Sequence, residues 1–326
     1  MNFEIPKILA IGAATQDVFL KNSRVLRPAH VDGTHELIEL EIGAKIDVNK
    51  IHFATGGGAT NAATTFARNG LKASFMGAIG DDLAGRQILE SLDAEFIDTS
   101  RVEILPNYNT DYSTVILSSS GERTILTYRG ASLHIFADNF NLKMNEFDWI
   151  YVTNLAGNFD ALDRIFAEAT SKGAKIMWNP GKKELENPEK VRNLLEDVEV
   201  LLVNKQEAQA IFGEYEGEEL LIRARNLVKV AIVTDGENGV WASDGETLVR
   251  AGMYEDVPRK DTTGAGDAFG SGFLAQWSLG APLKPALLFA SANSTSVIQQ
   301  IGAKAGILRR GEEFHSMPMY EKRLDV

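Results

Sequence analysis

The sequence predicts an α/β protein with a doubly wound, mainly parallel sheet flanked by helices and a small antiparallel β lid. Short, unbroken apolar runs indicate the main sheet, because such runs are typical of strands buried on both faces. Five of them are KILAIG (7–12), WIYVT (149–153), AKIMW (174–178), VEVLLVN (198–204) and VKVAIVT (228–234). Helical patterns lie between these runs, and strands that alternate with helices form βαβ units in a parallel sheet.

Two of the predicted helices end at a glycine. The helical pattern of Ala59–Asn69 stops before Gly70, and that of Phe159–Lys172 stops before Gly173. Glycine is preferred just after a helix because it adopts the left-handed backbone conformation without a steric penalty. We therefore expect both helices to end at these positions.

The lid is predicted from two segments in which apolar and polar residues alternate. Residues 18–55 contain HELIELEI and KIDVNKIHF, and residues 101–130 contain YSTVILSSSGERTILTYRG, a hairpin closed through Ser119–Gly121. Strands with this period are covered on one face only. We therefore expect an α/β domain of residues 1–17, 56–100 and 131–326, with 18–55 and 101–130 as the lid. The alternative is that both segments are edge strands of the main sheet.

Composition excludes several classes of function. The 326 residues are 44% hydrophobic and 24% charged, which is typical of a soluble globular protein. The net charge of -12 argues against a nucleic-acid partner or an anionic membrane held by bulk electrostatics. With no cysteine, the chain has no disulfides, thiolate nucleophiles or cysteine-based metal sites. The N-terminal segment is too mixed for a signal peptide and no apolar run is long enough to span a membrane, so we expect a cytoplasmic protein.

The stretch DTTGAGDAFGSGF (261–273) indicates an anion-binding turn that leads into a helix. Apolar side chains at helical spacing follow Asp267, so we expect the helix to begin near Gly266. The first N–H groups of a helix lack internal partners, and glycines allow close approach, so Gly264, Ala265 and Gly266 are able to hold a phosphoryl oxygen. Asp267 is then either a carboxylate that complements the helix dipole or a proton acceptor in phosphoryl transfer.

DTTGAGDAF closely resembles the C-terminal signature of the ribokinase-like (PfkB) carbohydrate kinases. The motif order and spacing are similar over nearly the whole chain. The resemblance implies an ATP-dependent kinase with Mg²⁺, in which Asp267 is the catalytic base and the Gly264–Gly266 turn is the anion hole.

A second glycine turn, GGGATNAA (56–63), enters the helix that ends at Gly70. From the residues alone it is either an anion-binding loop or a tight connection between strand and helix. Its resemblance to the N-terminal signature of the family implies that Gly56, Gly57 and Asn61 bind sugar hydroxyls. A dinucleotide-binding fingerprint is excluded, because it requires glycine where Asn61 stands.

Asp17 follows the first strand, in GAATQD (12–17). Open α/β sheets bind ligands at the carboxyl ends of their strands, so Asp17 is placed to accept hydrogen bonds from a substrate, although an aspartate here is also common as a helix cap or loop residue. The resemblance implies that Asp17 binds two vicinal hydroxyls of the substrate. Thr15 replaces the asparagine of the family's Asn-x-Asp pattern, which argues against ribose itself.

Arg129, in TYRGAS, is either a surface arginine or a contact to a substrate hydroxyl, carboxylate or phosphate.

Other motifs indicate nucleotide and metal sites. In VNKQEA (203–208), Asn204 and Glu207 form the pattern of a capping box, and the resemblance implies that they also organise water-bound Mg²⁺. TDGENG (234–239) is a turn after a strand, and the resemblance implies that Thr234 and Gly236 contact the nucleotide. It further implies that Asn293 lies on the adenine side.

The resemblance also implies a monovalent-cation site, as some family members have. Asp261 and Thr263, with backbone from the Gly302–Gly306 loop, would hold K⁺ there.

The leading hypothesis is therefore an ATP-dependent kinase for a primary hydroxyl of a small sugar or sugar derivative. A nucleoside kinase of the same fold is the alternative, in which lid aromatics stack on a base; the candidates are Phe19, Phe53, Tyr108 and Tyr112. A non-catalytic sugar or nucleotide sensor is a third hypothesis, although both the base and the metal motif are intact. An exposed lid sheet would also allow a homodimer.

Overall fold

The computed structural model describes residues 4–21, 28–31, 35–38, 42–117, 123–135 and 146–324. Within these ranges the strands are β1 (Lys7–Ile11), β2 (Thr15–Lys21), β3 (Pro28–Val31), β4 (His35–Ile38), β5 (Lys50–Gly56), β6 (Lys72–Gly80), β7 (Asp98–Leu105), β8 (Asp111–Leu117), β9 (Arg123–Tyr128), β10 (Trp149–Val152), β11 (Lys175–Trp178), β12 (Val200–Asn204), β13 (Val230–Thr234), β14 (Val240–Ser243), β15 (Thr247–Ala251) and β16 (Met319–Arg323). The helices are α1 (Gly58–Arg68), α2 (Leu83–Asp93), α3 (Phe159–Ser171), α4 (Lys182–Leu185), α5 (Pro188–Leu194), α6 (Lys205–Phe212), α7 (Gly217–Arg225), α8 (Ala265–Trp277) and α9 (Leu283–Ile298).

The main sheet has ten strands in the order β16-β15-β14-β13-β12-β11-β10-β1-β6-β7. The seven strands from β13 to β7 pair in parallel, whereas β14, β15 and β16 form antiparallel pairs at one edge. β1 lies between β6 and β10, so the strand order reverses there, as it does in doubly wound sheets. The predicted fold class is confirmed.

The apolar runs of the sequence form the centre of this sheet. In β1, Ile8 and Leu9 are both fully buried, yet they belong to two different clusters of the hydrophobic core. Successive side chains of a strand point to opposite faces, so both faces of the sheet must be covered by helices. Phe66 of α1 packs on the Ile8 side, and Phe166 of α3 packs against Trp178 on the other.

The two predicted helix ends are present. α1 and α3 end within two residues of the predicted positions, and Gly70 and Gly173 have φ angles of 79° and 76°. These are left-handed conformations that side chains other than glycine rarely adopt. None of the described helices is both long and apolar enough for a membrane span.

A second sheet has the strand order β5-β2-β8-β9, and we call it the lid sheet. β2 pairs antiparallel with β5 and parallel with β8, and β8 pairs antiparallel with β9. The predicted hairpin is therefore present, although its closing residues, Ser119–Gly121, lie outside the described ranges. β3 and β4 form a separate antiparallel pair. β7, which includes residues 101–105, is the edge strand of the main sheet, and the division into two domains stays a prediction.

The lid sheet contacts the α/β body through apolar side chains. Phe19, Val115 and Leu117 form a small buried cluster with Ala54 and Ile301 packed against it. Ile301 belongs to the loop that follows α9. The face of the lid sheet that carries Phe19 therefore rests on that loop.

Candidate active site

The N-termini of α1 and α8 meet at one side-chain hydrogen bond. The Asn61 amide nitrogen, Nδ2, donates to Asp267 Oδ2 over 2.8 Å. Asn61 lies in the first half of α1 and Asp267 in the first turn of α8. The bond therefore joins the two glycine motifs, which are separated by 206 positions in the sequence.

The backbone before α8 has the shape that the signature predicts. α8 begins at Ala265, one residue before the expected start, and its cap Gly264 has a φ of 77°. A Cβ on Gly264 would lie 2.4 Å from the Ala303 Cβ, so both the conformation and the space require glycine. Nothing lies within 4 Å of the corresponding position on Gly266. We call the Gly264–Gly266 segment the anion turn.

Asp267 is surrounded by protein but remains partly exposed. Burial raises the pKa of its carboxyl, against the hydrogen bond from Asn61 and the positive charge of Lys304, which lower it. Its Oδ1 lies 3.1 Å from the position of a Cβ on Gly58, so the backbone of the second glycine motif packs directly against this carboxylate. A carboxylate with a raised pKa is a stronger proton acceptor than an aspartate in water.

Asp17 lies at the other end of the same glycine segment, Gly56–Gly58. Its side chain is buried, and a Cβ on Gly56 would lie only 2.1 Å from Asp17 Oδ2. Burial raises the pKa of Asp17 to about 6, although a hydrogen bond with Ser113 and the charge of Lys304 lower it in part. Asp17 and Asp267 thus contact the two ends of one short turn, which brings together two of the predicted carboxylates.

The Gly56–Gly58 turn is held in place by backbone contacts. Gly57 has a φ of 97°, and a Cβ there would lie 2.3 Å from the carbonyl oxygen of Ala13. The backbone N–H of Asn61 donates to the Gly57 carbonyl over 3.0 Å. Within the described residues, the Asn61 Oδ1 atom is buried and accepts no hydrogen bond. Because a buried acceptor without a donor is costly, this oxygen suits a ligand hydroxyl.

A groove opens beside the anion turn. Its lining includes the predicted residues Thr234 and Gly236 together with Ala265 and Gly266 of the turn. The remaining lining residues come from the start of β14 and the turn before it, from the segment after β15, and from α8 and α9: Gly239, Val240, Gly252, Met253, Phe269, Ser291, Ser294 and Thr295. The structure therefore brings the predicted nucleotide residues Thr234 and Gly236 to the predicted anion hole.

Asn293 does not face this groove. It is fully buried, its Nδ2 donates to the Ala268 carbonyl over 2.7 Å, and its Oδ1 accepts from the Leu308 backbone N–H over 2.8 Å. This amide joins α8, α9 and the segment after α9. Of the residues on α9, Ser294 and Thr295 line the groove instead.

Asn204 and Glu207 form the capping box of α6. The Asn204 side chain accepts from the Glu207 N–H, and Glu207 Oε2 accepts from the Asn204 N–H, at 2.9 and 2.8 Å. Burial raises the pKa of Glu207, and the Asn204 N–H lowers it in part. Asn204 is also the β-ladder partner of Thr234 at the carboxyl ends of β12 and β13. The capping role is therefore present, next to the strand end that leads into the groove.

The surroundings of Asp261 are already filled by protein groups. Its Oδ1 accepts from the N–H and the hydroxyl of Thr263, at 3.0 and 2.6 Å, and its Oδ2 accepts from the Gly302 N–H at 3.0 Å. Arg123 of β9 donates to the hydroxyl of Thr262, and its Nε lies 4.0 Å from Asp261 Oδ1. The predicted Asp261, Thr263 and Gly302 are thus adjacent, but they bond to one another.

The comparisons with known proteins decide the family. The sequence profile described as "pfkB family carbohydrate kinase" matches residues 31–309, which is most of the chain. The protein belongs to the pfkB family of carbohydrate kinases. It is 28% identical to a ribokinase of Bacillus subtilis over 79% of this chain and 85% of that protein. This family assignment makes the protein a kinase.

Two solved structures share the fold of this pfkB-family chain. A ribokinase from Arabidopsis thaliana, complexed with ribose and ATP, has a TM-score of 0.77 at 21% identity and covers 94% of this chain and 97% of its own. A nucleoside kinase from Burkholderia thailandensis, complexed with inosine, has a TM-score of 0.73 at 20% identity and covers 94% and 95%. The ribokinase-like fold is therefore established.

Two cations beside the candidate site were not predicted from the sequence. Lys304 is half-buried, and its Nζ donates to Thr55 Oγ1 over 3.0 Å. Burial lowers the pKa of Lys304 to about 7, against the negative charge of Asp17. Arg123 is the arginine of β9 that reaches the Asp261 loop, whereas the predicted Arg129 is exposed just after that strand. No motif marked either cation, because each acts on partners that are distant in sequence.

The pKa of Asp17 predicts how an Asp17→Asn variant changes folding stability. Above pH 6 the wild-type carboxylate is ionised and buried, which costs the folded state about 3 kcal/mol, from a rise in pKa of roughly two units above 3.8. Asp17→Asn should therefore raise the free energy of unfolding at pH 8 by up to about 3 kcal/mol. The difference should shrink as pH falls from 6 towards 4, because the folded carboxyl then takes up a proton and no longer carries a buried charge.

Urea unfolding between pH 4 and pH 8 measures this difference. Asp93→Asn, which changes an exposed aspartate at the end of α2, is the matched control and should leave the free energy of unfolding nearly unchanged at every pH. If the Asp17→Asn variant differs from the wild type by a constant amount across the range, the buried charge is not the cause.

Proposed function

We propose that this protein transfers the γ-phosphoryl group of ATP to a primary hydroxyl of a small sugar or sugar derivative. In this proposal Asp267 is the general base and the anion turn is the anion hole. One observation carries it: Asp267 and the anion turn share the first turn of α8, between a groove on one side and the Gly56–Gly58 turn on the other. The two reactants would therefore meet at one carboxylate.

The chemistry follows from the position of Asp267. A carboxylate oxygen of Asp267 takes the proton of the acceptor hydroxyl as the hydroxyl oxygen attacks the γ-phosphorus. The bond between the γ-phosphorus and the bridging oxygen of the β-phosphate breaks, and ADP leaves. The raised pKa of Asp267 favours this proton transfer. Of the three N–H groups of the anion turn, that of Ala265 donates to the Thr262 carbonyl over 3.3 Å. Those of Gly264 and Gly266 would stabilise the charge on the phosphoryl oxygens, as N–H groups at a helix start do.

The acceptor would be held by Asp17, the Gly56–Gly57 backbone and Asn61. The buried Oδ1 of Asn61 lacks a donor within the described residues, and a sugar hydroxyl supplies one. Asp17 accepts from further hydroxyls when it is ionised. Because Asn61 also bonds to Asp267, the residue that positions the acceptor is fixed relative to the base.

The lid sheet would keep water away from the reacting groups. Asp17 lies in its second strand, and the face that carries Phe19 packs against Ile301 beside the Gly302 loop. Water competes with the sugar as phosphoryl acceptor, so a covered site favours transfer over hydrolysis.

Asn204 and Glu207 would organise Mg²⁺ through its water ligands. Their oxygens suit a hard cation, and Mg²⁺ needs few protein ligands when phosphates and water complete its shell. Among the described residues, no group of three His, Asp or Glu side chains forms a cage for a metal ion. Bound Mg²⁺ would neutralise charge on the phosphates of the nucleotide.

The described geometry favours a sugar over a nucleoside as acceptor. Of the proposed stacking residues, Phe19 is packed in the lid cluster and Tyr108 stacks on His134, with ring centroids 3.7 Å apart. Phe53 and Tyr112 pair in register with Val18 and Gln16, whose side chains point to the face opposite Asp17. None of these four rings is therefore free on the Asp17 face.

A non-catalytic sensor is less favoured, since the base, the anion turn and the capping pair are all assembled.

Replacing Asp267 tests the assignment of the base. We expect Asp267→Asn to lower turnover by about 10²–10⁴-fold, which is what general-base catalysis typically contributes, while ATP and acceptor binding stay within a few-fold. An ADP-release screen over pentoses, hexoses, keto-deoxy acids and nucleosides identifies the acceptor, and calorimetry measures binding. Asp93→Asn is the control at an exposed aspartate. Substantial residual turnover in Asp267→Asn would remove the proposed role, and turnover with nucleosides alone would favour the alternative acceptor.

Replacing Glu207 tests the proposed metal site. Glu207→Gln keeps an oxygen that accepts from the Asn204 N–H, so the cap of α6 and the free energy of unfolding should change little. The Mg²⁺ concentration for half-maximal rate should rise several-fold, because one carboxylate is lost near the ion. Glu255→Gln, at an exposed glutamate, is the control. An unchanged Mg²⁺ dependence in the Glu207→Gln variant would mean that Glu207 serves only as a helix cap.

The lid sheet also supports a homodimer as part of this proposal. Its side chains opposite Asp17 include Phe53 and Leu126, which are 52% and 58% exposed. An apolar sheet face of this kind is a common subunit interface. The wild type should sediment as a dimer and Phe53→Glu as a monomer, whereas Ile104→Glu, at an exposed isoleucine of β7, should stay dimeric. A monomeric wild type at micromolar concentration would contradict this part.

A further inference from the structure

Asp261 is a fully buried carboxylate that ties two loops together. Its partners are the N–H and hydroxyl of Thr263, two residues before the start of α8, and the N–H of Gly302 in the loop after α9. All three are neutral donors. An opposite charge nearby stabilises a buried carboxylate further, because the protein interior solvates charge poorly.

Arg123 of the lid sheet supplies a positive charge at this point. Its guanidinium donates to the Thr262 hydroxyl, and its Nε lies 4.0 Å from Asp261 Oδ1. The same Nε is buried and makes no hydrogen bond within the described part of the chain. Among the described residues, Arg123 is the one cationic side chain within 4.0 Å of this carboxylate.

The groups at this point do not fit the monovalent cation that the sequence predicts. The Asp261 oxygens are engaged by Thr263 and Gly302, and the Lys304 carbonyl of the Gly302–Gly306 loop accepts from Arg68 Nη1 over 2.6 Å. A potassium ion needs several free oxygens, and a guanidinium beside Asp261 repels a second cation. The position of Arg123 thus disagrees with the expected cation site.

Contacts lead directly from Asp261 to the anion turn. Asp261 precedes Gly264, the cap of α8, by three residues, and Ala303, next to Gly302, packs against Gly264. A change at the Asp261 carboxylate therefore moves one or both of the backbones that shape this turn. Arg123 reaches the same carboxylate from β9, so the lid sheet and the anion turn share one electrostatic contact.

We propose that Arg123 is the counter-ion of Asp261 in place of a monovalent cation, and that it is a positioning residue for the anion turn. It follows that the protein functions without potassium, and that the turn is fully ordered only when β9 is docked on the Asp261 loop. The catalytic role of the anion turn rests on the proposed function, whereas the structural coupling between Arg123 and the turn does not.

The first experiment measures the dependence on potassium of the unmodified protein. Thermal unfolding is followed in potassium chloride and in choline chloride at equal ionic strength, with and without ATP and Mg²⁺. We expect the same melting temperature in both salts, and the same rate of ADP release once an acceptor is found. A saturable rise in melting temperature or rate with potassium would overturn the proposal.

The second experiment measures amide hydrogen exchange in Arg123→Met. We expect the segment 261–268 to exchange about tenfold faster than in the wild type, while β12 in the core is unchanged. Arg123→Lys, which keeps the charge but not the planar guanidinium, should recover part of the protection. Lys50→Met removes an exposed lid cation and should leave exchange of segment 261–268 unchanged. Unchanged exchange in this segment of Arg123→Met, or faster exchange in the lid strands alone, would contradict the coupling.

A kinetic measurement separates positioning from loss of fold. With an acceptor in hand, Arg123→Met should lower kcat about tenfold with little change in the KM for ATP, because a misplaced anion turn weakens transition-state contacts first. An unchanged kcat would contradict the positioning role. If no acceptor is found, the proposed function fails, while the unfolding and exchange results still decide the role of Arg123.

Discussion

The site depends on the hydrogen bond between Asn61 and Asp267. This bond connects the N-termini of α1 and α8, and a second one joins the Ser271 and Thr65 hydroxyls one turn further along, at 2.8 Å. Both helices therefore direct the positive ends of their dipoles towards the same region. The glycine turns that precede these helices are held at a fixed separation as a consequence, which a two-substrate site requires.

The same region concentrates charge that the fold must compensate. Asp17 and Asp267 both have raised pKa values because the surrounding protein desolvates their carboxyls, and the charge of Lys304 lowers both in part. Asp261 lies close enough to raise the pKa of Asp17 further. Such an arrangement is unfavourable for folding, and it is typical of sites where ionisable groups are tuned for chemistry rather than for stability.

The lid sheet contributes more than a cover to this arrangement. Its second strand carries Asp17, its apolar cluster rests on Ile301, and Arg123 of its last strand reaches the loop before α8. In the proposed function, acceptor contact, shielding from water and support of the anion turn would all come from this one small sheet. A change in the position of that sheet would therefore alter the acceptor contact, the shielding and the anion turn together.

The sequence by itself determined the fold class and the positions of the local motifs. Buried strands require continuous apolar runs, helix ends require glycine at Gly70 and Gly173, and the capping box of Asn204 and Glu207 spans only three residues, so each signal is local. The signature around Asp267 likewise indicated a turn and a helix start within one residue of where they lie.

Only the tertiary structure decided which side chains share the site. Asn293 faces the interior because the packing of α8 on α9 fixes which side of α9 is covered, and no local pattern contains that information. Lys304 and Arg123 acquire their partners from segments far away in the chain, through contacts between Thr55 and Lys304 and between Asp261 and Arg123. Electrostatic compensation acts through space, so sequence spacing does not reveal it.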